Sequence, residues 1–199
     1  MKLLRYFAEN TYMTFHMQPT HPLAQLAFFD QRGQLLRPRI PFSQRAAQVR
    51  QVLSSSEERN NNFSIDNRSA CFSQQMLDIV VAHLNSVLND AEVSIKIIDL
   101  RTNEPKVMVR VNKNEAELFF LVPAHQAKVS LAKIYSGRRG LGGLLLVSLY
   151  NIAQDLGKAK IDFSVTANNY PAMRFYYHLD FGRPVRETDR GRWEININQ

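Results

Sequence analysis

From Tyr135 to Leu144 the chain reads Tyr-Ser-Gly-Arg-Arg-Gly-Leu-Gly-Gly-Leu. Four glycines beside two arginines, set between a strand pattern and a helix pattern, can do specific chemistry. Glycine lets the backbone come close to an anion, and the first N–H groups of a helix have no carbonyl of their own to bond. The helix dipole adds a favourable potential at the same point. Such a turn suits a pyrophosphate. Glycine clusters also serve close packing, and the segment alone does not separate the two uses.

The residues around it exclude one phosphate-binding scheme and make a poor match to a second. No Gly-Lys-Ser/Thr follows the glycines, as a nucleoside-triphosphate loop requires. The preceding strand patterns read as antiparallel, whereas a dinucleotide fingerprint belongs to a βαβ unit.

A second segment lies one helix and one strand downstream: Asn168-Asn169-Tyr170-Pro171-Ala172-Met173-Arg174-Phe175-Tyr176-Tyr177-His178-Leu179-Asp180-Phe181-Gly182. Together the two segments resemble the GNAT superfamily, the Gcn5-related N-acetyltransferases. The family's Gln/Arg-x-x-Gly-x-Gly/Ala loop is matched by Gly137 through Gly142. Its Asn-x-x-Ala-x-x-x-Tyr-x-x-x-Gly-Phe pattern is matched by Asn169, Ala172, Tyr176 and Phe181. The resemblance covers residues 127–182, extends to the strands from about residue 91, and does not cover the first seventy. Gly137 departs from it, standing where the family prefers Gln or Arg, and Asp180 replaces the usual Gly. The link from strand to loop is also short.

The resemblance implies an α/β (α+β) fold of acyl-CoA N-acyltransferase type, with a central mixed, mostly antiparallel sheet flanked by helices. It implies acetyl-CoA, or another acyl-CoA, as co-substrate and direct attack by an amine. The backbone near Ile134 and Tyr135 would pair with the pantetheine arm. The N–H groups of Arg139, Gly140, Leu141, Gly142 and Gly143 would hold the pyrophosphate, with Arg138 and Arg139 compensating for Gly137. Asn169 would position the cofactor or the neighbouring backbone. Tyr176 would be the general acid that reprotonates the departing thiolate; its aromatic neighbours equally suit a core position. No general base is legible. Glu117 is the nearest strand carboxylate, a weak base candidate, and His125 and His178 read as surface residues. The histidines show no metal-ligand spacing, so no metal is expected.

The elements that must position these groups follow from periodicity. Residues 23–37 read as a hairpin, and Ala46, Val49 and Leu53 as a short helix from Ser43. Residues 54–69 are polar and read as a mobile loop. Ser73 reads as the cap of a helix carrying Met76, Ile79, Val80, His83, Leu84 and Val87 on one face, with His83 a core histidine. Alternation then predicts strands at 92–97, 107–111, 115–122 and 128–135, an antiparallel meander. A strong helix from Leu141 ends at Gly157, followed by a strand at 160–166 and a helix from Pro171. Two strands, near 181–185 and 193–198, close the chain. The chain reads as one domain, 1–199, with a divergent N-terminal part (1–70) and an acyl-CoA-binding core (91–199).

Composition sets the remaining bounds. The chain has 199 residues, 45% hydrophobic and 22% charged, so wholesale disorder is excluded. No apolar run approaches the roughly 18 residues a bilayer span needs, and no membrane association is expected. Charges interrupt the first nine residues where a cleaved signal would be apolar. A single cysteine, Cys71, excludes an intramolecular disulfide and points to the cytoplasm, with secretion by an uncleaved signal left open. Twenty-five basic against eighteen acidic residues give a net charge of +7, which raises the local concentration of anions. No basic run interleaved with aromatics marks a nucleic-acid module, so that reading, including aminoacyl-tRNA as acceptor, is not favoured. The expected partner is an amine of unknown class, with a homodimer as the family's frequent state. The rival from another class is a GNAT-fold binding module without catalysis.

Overall fold

The computed structural model describes residues 44, 46, 47, 59–101, 103–138, 140–166, 169–179 and 192–197. Seven strands and three longer helices occur in this part of the chain. β1 (Asn62–Asn67) leads through α1 (Gln74–Val87) to β2 (Glu92–Arg101) and β3 (Glu104–Val111). A short turn at Asn112–Asn114 precedes β4 (Ala116–Leu121) and β5 (Lys128–Ser136). Then follow α2 (Leu141–Asp155), β6 (Lys160–Ser164), α3 (Tyr170–Leu179) and β7 (Arg192–Asn196).

The strands form one sheet in sequence order, β1 to β7. β1 and β2 are parallel, as are β5 and β6, and the other four pairs are antiparallel. The expected mixed, mostly antiparallel sheet flanked by helices is present, and its meander runs from β2 to β5.

Register makes the sheet two-faced. Val93, Ile95 and Ile97 stand opposite Val111, Val109 and Val107, which in turn meet Ala116, Leu118 and Phe120. All nine are buried. Because side chains alternate across a strand, one face is apolar throughout. The other carries Lys96, Arg110, Glu117, Phe119, Lys133 and Asp162 in its place.

The helices lie on the apolar face. Ser73 caps α1 by accepting from the Met76 N–H (3.3 Å), as its position before the apolar run predicts. Leu77, Val80, Leu84 and Val87 are the buried residues of α1. α2 is buried over nearly its whole length and joins the same core. His83, expected as a satisfied core histidine, lies largely buried at the edge of the core with its Nε2 2.7 Å from Asp155 Oδ2, which ties α1 to α2. α3 lays Tyr176 on Phe163 of β6, ring centroids 4.4 Å apart.

The polar stretch 54–69 is corrected in part. Residues 62–67 form an edge strand in register with β2, Phe63 against Val93 and Ile65 against Ile95. Only two apolar residues alternate there among Asn, Ser and Asp, types depleted in strands, so the pattern was below what periodicity can detect. Helical backbone at Gln44, Ala46 and Ala47 agrees with the helix expected from Ser43, and Ala46 is buried. Val49, Leu53, the hairpin at 23–37 and the strand at 181–185 lie outside the described residues. No helix among the described residues is long and apolar enough to cross a membrane.

Candidate functional site

The site begins with a failure of pairing. β5 keeps company with β6 for three residues only, Lys128, Val129 and Ser130 against Lys160, Ile161 and Asp162. It then continues for six more residues, to Ser136, with β4 as its partner on the other side. At about 3.3 Å per residue, roughly 20 Å of β5 carries no partner strand on the β6 side among the described residues. Backbone N–H and C=O groups seek partners, so this edge offers a row of sites to a ligand. Ile134 and Tyr135 lie on it, the first half-buried and the second exposed.

A bulge accompanies the divergence. Phe119 pairs with Lys133 and Phe120 with Leu131, so Ala132 is the extra residue in β5. Such an insertion bends the strand and leaves the extra residue's backbone out of the ladder. Here it sits at the start of the open edge.

The open edge ends in the glycine turn. The Gly137 N–H donates to Glu115 O (2.8 Å), which anchors the turn to the start of β4. Ser136 Oγ donates to Arg138 O (2.5 Å) and accepts from the Arg138 N–H (3.2 Å). Gly140 has φ of 86° and caps α2 with no side-chain hydrogen bond, a conformation only glycine adopts without strain. A Cβ at Gly142 would meet Ser136 Cβ at 3.5 Å and the Phe175 ring at 3.9 Å, both ordinary contacts. The first-turn N–H groups of Gly142 and Gly143 therefore have no intrahelical acceptor and no Cβ of Gly142 in front of them. Unbonded first-turn N–H groups of this kind form the cradle that a helix N-terminus offers an anion. Arg138 is exposed beside it, and Arg139 lies outside the described residues. Leu141 is buried and anchors the first turn in the core.

Asn169 and Tyr176 belong to α3. Asn169 Oδ1 accepts from the Ala172 N–H (3.3 Å) at the start of α3. Tyr176 is 5% exposed, within a cluster of Phe163, Phe175 and Trp193. Burial pushes its phenol well above the ordinary value. The side chains of Tyr177 and His178 lie outside the described residues.

Glu117 does not converge with Tyr176. It stands on the polar face opposite Tyr135, ion-paired with Lys133 and with Arg110 (3.3 Å). Tyr176 is on the apolar face. His125 is near the Asn103 amide, 3.4 Å away, beyond the other end of β4. No group of His, Cys, Asp and Glu able to hold a metal ion occurs among the described residues.

Sequence reasoning missed the pocket at the vertex of the wedge. A cavity of about 300 Å³ is lined by Ser130, Leu131 and Ala132 of β5, Asp162, Phe163 and Ser164 of β6, Leu121 and Arg192. Asp162 Oδ2 accepts from Lys128 Nζ (2.6 Å) and Arg192 Nη2 (3.0 Å). Burial alone would push the Asp162 carboxyl up, but Lys128, the Ser130 hydroxyl and Arg192 outweigh it and hold it below the ordinary carboxylate value. Its Oδ1 is buried and lacks a hydrogen bond of good geometry among the described residues. Alternation places Asp162 among the polar-face residues, and nothing in a single strand reveals that two cations from other strands close over it.

No protein-family model matches the chain, and no curated protein matches it. Solved structures do overlap with it in part. The chain is similar to a PaiA N-acetyltransferase from Thermoplasma acidophilum in complex with coenzyme A, at 16% identity and a TM-score of 0.39. That overlap covers 47% of this chain and 61% of the other, so the chain spans less than two thirds of that protein. It is similar to the ribosomal-protein-S18-alanine N-acetyltransferase from Escherichia coli at 21% identity, over 50% of this chain and 72% of the other, with a TM-score of 0.38. It is also similar to a GNAT-family acetyltransferase from Staphylococcus aureus Mu50, at 10% identity over 66% and 97% of the two chains, with a TM-score of 0.39.

Proposed function

We propose that the chain is an acyl-CoA-dependent N-acyltransferase of the GNAT type, with acetyl-CoA as the default donor. The observation that carries this reading is the open edge of β5 running from the wedge to the glycine turn. An extended arm that needs backbone partners and a pyrophosphate that needs unpaired N–H groups are served in that order along one line. Few ligands have both parts at that spacing.

In this reading the residues do the following. The N–H groups of Gly142 and Gly143, with Arg138, bind the pyrophosphate, and Gly140 sets the angle of approach. The β5 backbone at Ile134 and Tyr135 orients the pantetheine arm toward the wedge. Acyl-CoA supplies the activated acyl group. Tyr176, buried against Phe163 and Trp193 beside the wedge, is the proton donor assigned to the departing sulfur. With its pKa raised, the phenol keeps its proton across the neutral range, and a hydrogen bond to the sulfur is what so weak an acid gives most readily. Glu117, held by two cations on the other face, is not assigned as base. Positioning and polarisation then carry the catalysis.

One observation favours a silent binding module as the second reading. Gly137 supplies no side chain toward the loop and its N–H is already bonded to Glu115 O.

Calorimetric titration with acetyl-CoA, beside a thermal-shift measurement, tests both. Acetyl-CoA at a hundred times its dissociation constant adds about 2.7 kcal/mol, roughly 5 to 10 °C for a domain of this size. Binding with thiol release in an amine panel supports the transferase. Binding without release supports the module, and no binding to any acyl-CoA removes both.

A further inference from the structure

The gap between β5 and β6 has two mouths. The glycine turn, α2 and Tyr176 stand on the apolar-face side. The cavity lined by Ser130, Asp162, Ser164 and Arg192 opens on the polar face. A direct transfer needs its second reactant to reach the same gap from the side the donor does not occupy.

The charges at that second mouth are unequal. Lys128 and Arg192 together face Asp162, and the neighbouring Lys160–Glu194 pair (2.9 Å) is neutral, so three cations stand against two carboxylates. One step across the sheet, Lys106, Arg110 and Lys133 stand 5.3 to 5.9 Å from the centre of the Phe119 ring, with Glu117 as their carboxylate. Both clusters are left with surplus positive charge among the described residues. Arg192 is 52% exposed, and among the described residues its Nη2 alone is bonded to Asp162, so the rest of its fork can serve a ligand. A planar guanidinium of this kind matches a carboxylate or a phosphate. The same surplus repels a polycation.

We propose that this pocket is where the acceptor amine docks, and that the acceptor is a small amine carrying an anionic group, carboxylate or phosphate. The proposal rests on the transferase reading for the word acceptor, but not for the ligand class. Asp162 positions Arg192 and Lys128, and the two cations take the anion, leaving the amine to point into the wedge.

The test uses the full-length protein and matched amines that differ only in the anion. β-Alanine is compared with β-alaninamide, phosphoethanolamine with ethanolamine, and spermidine serves as the polycation. Direct calorimetric binding at low salt should favour the anionic member of at least one pair by about tenfold or more, as charge-assisted bonds to a fork require. Which pair discriminates tells carboxylate from phosphate. Arg192→Gln should abolish the preference, Arg192→Lys should restore part of it, and neither should alter acetyl-CoA affinity. Equal binding within both pairs, tightest binding of spermidine, or no binding by any amine would overturn the proposal. If acetyl-CoA fails to bind while the pairs still discriminate, the transferase reading fails and the ligand class stands. If spermidine drives thiol release and neither anionic amine does, the reverse holds.

Discussion

Tyr176 and Asp162 are both buried beside the wedge and face opposite demands. Tyr176 gains from burial because its neutral form is the useful one. Replacing it with Phe keeps the ring against Phe163 and Trp193, so we expect stability to change by less than about 1 kcal/mol. Turnover should fall by about tenfold or more with acetyl-CoA affinity unchanged. Unchanged turnover removes the phenol from the mechanism and leaves an aromatic core residue. Asp162 is useful charged, and its two cations keep it so. Its folded pKa is depressed from 3.8, so its contribution to stability is complete above that value and is lost as pH falls through the lower folded one. Asp162→Asn should cost about 1 to 3 kcal/mol at pH near 6, as loss of hydrogen bonds to a charged group does. In urea melts the gap between the two proteins should close in acid below about pH 4. A gap that persists there would mean the loss comes from packing.

At the scale of elements, the turn between β5 and α2 is the most demanding. Gly140 at φ of 86° is its pivot, and Gly140→Ala should cost about 1 to 2 kcal/mol from the left-handed backbone alone. The loss would appear as a lower thermal midpoint and weaker acetyl-CoA binding together. A normal midpoint would mean the turn relaxes freely and is not a fixed cradle. This turn was legible because its glycines have a stereochemical reason to be there. So were α1, with Ser73 before an apolar periodicity, and the β2–β5 meander, where Val93 to Ile97 and Val107 to Val111 alternate cleanly. Three features were not legible, for physical reasons. β1 alternates only Phe63 and Ile65 among polar residues and is stabilised by its neighbour β2, not by propensity. The bulge at Ala132 leaves no trace in an apolar-polar pattern. The Lys128–Asp162–Arg192 cluster unites three strands, and only the register of the sheet brings them together.

Among the described residues the molecule is a sheet with an apolar side that holds the helices and a charged side opposite. The chain as a whole carries a net charge of +7. Affinity for acetyl-CoA, which carries several phosphates, should therefore fall steadily with added salt, while affinity for uncharged acetyl-pantetheine should not. Parallel salt titrations by calorimetry would check this, and equal slopes would show that the phosphates contribute nothing to binding.

The strand order carries a consequence for how the molecule is made. Each strand pairs with its immediate predecessor in the sequence, so most contacts are local in the chain and folding can advance with synthesis. A nascent chain that has passed Ser136 but not Lys160 holds the sequence of β2 to β5 and not yet that of β6. The long edge offered to a ligand in the finished protein is at that moment a bare sheet border, open to any passing strand. Among the described residues, the last six of β5 have β4 on one side and no strand on the other in the finished sheet as well.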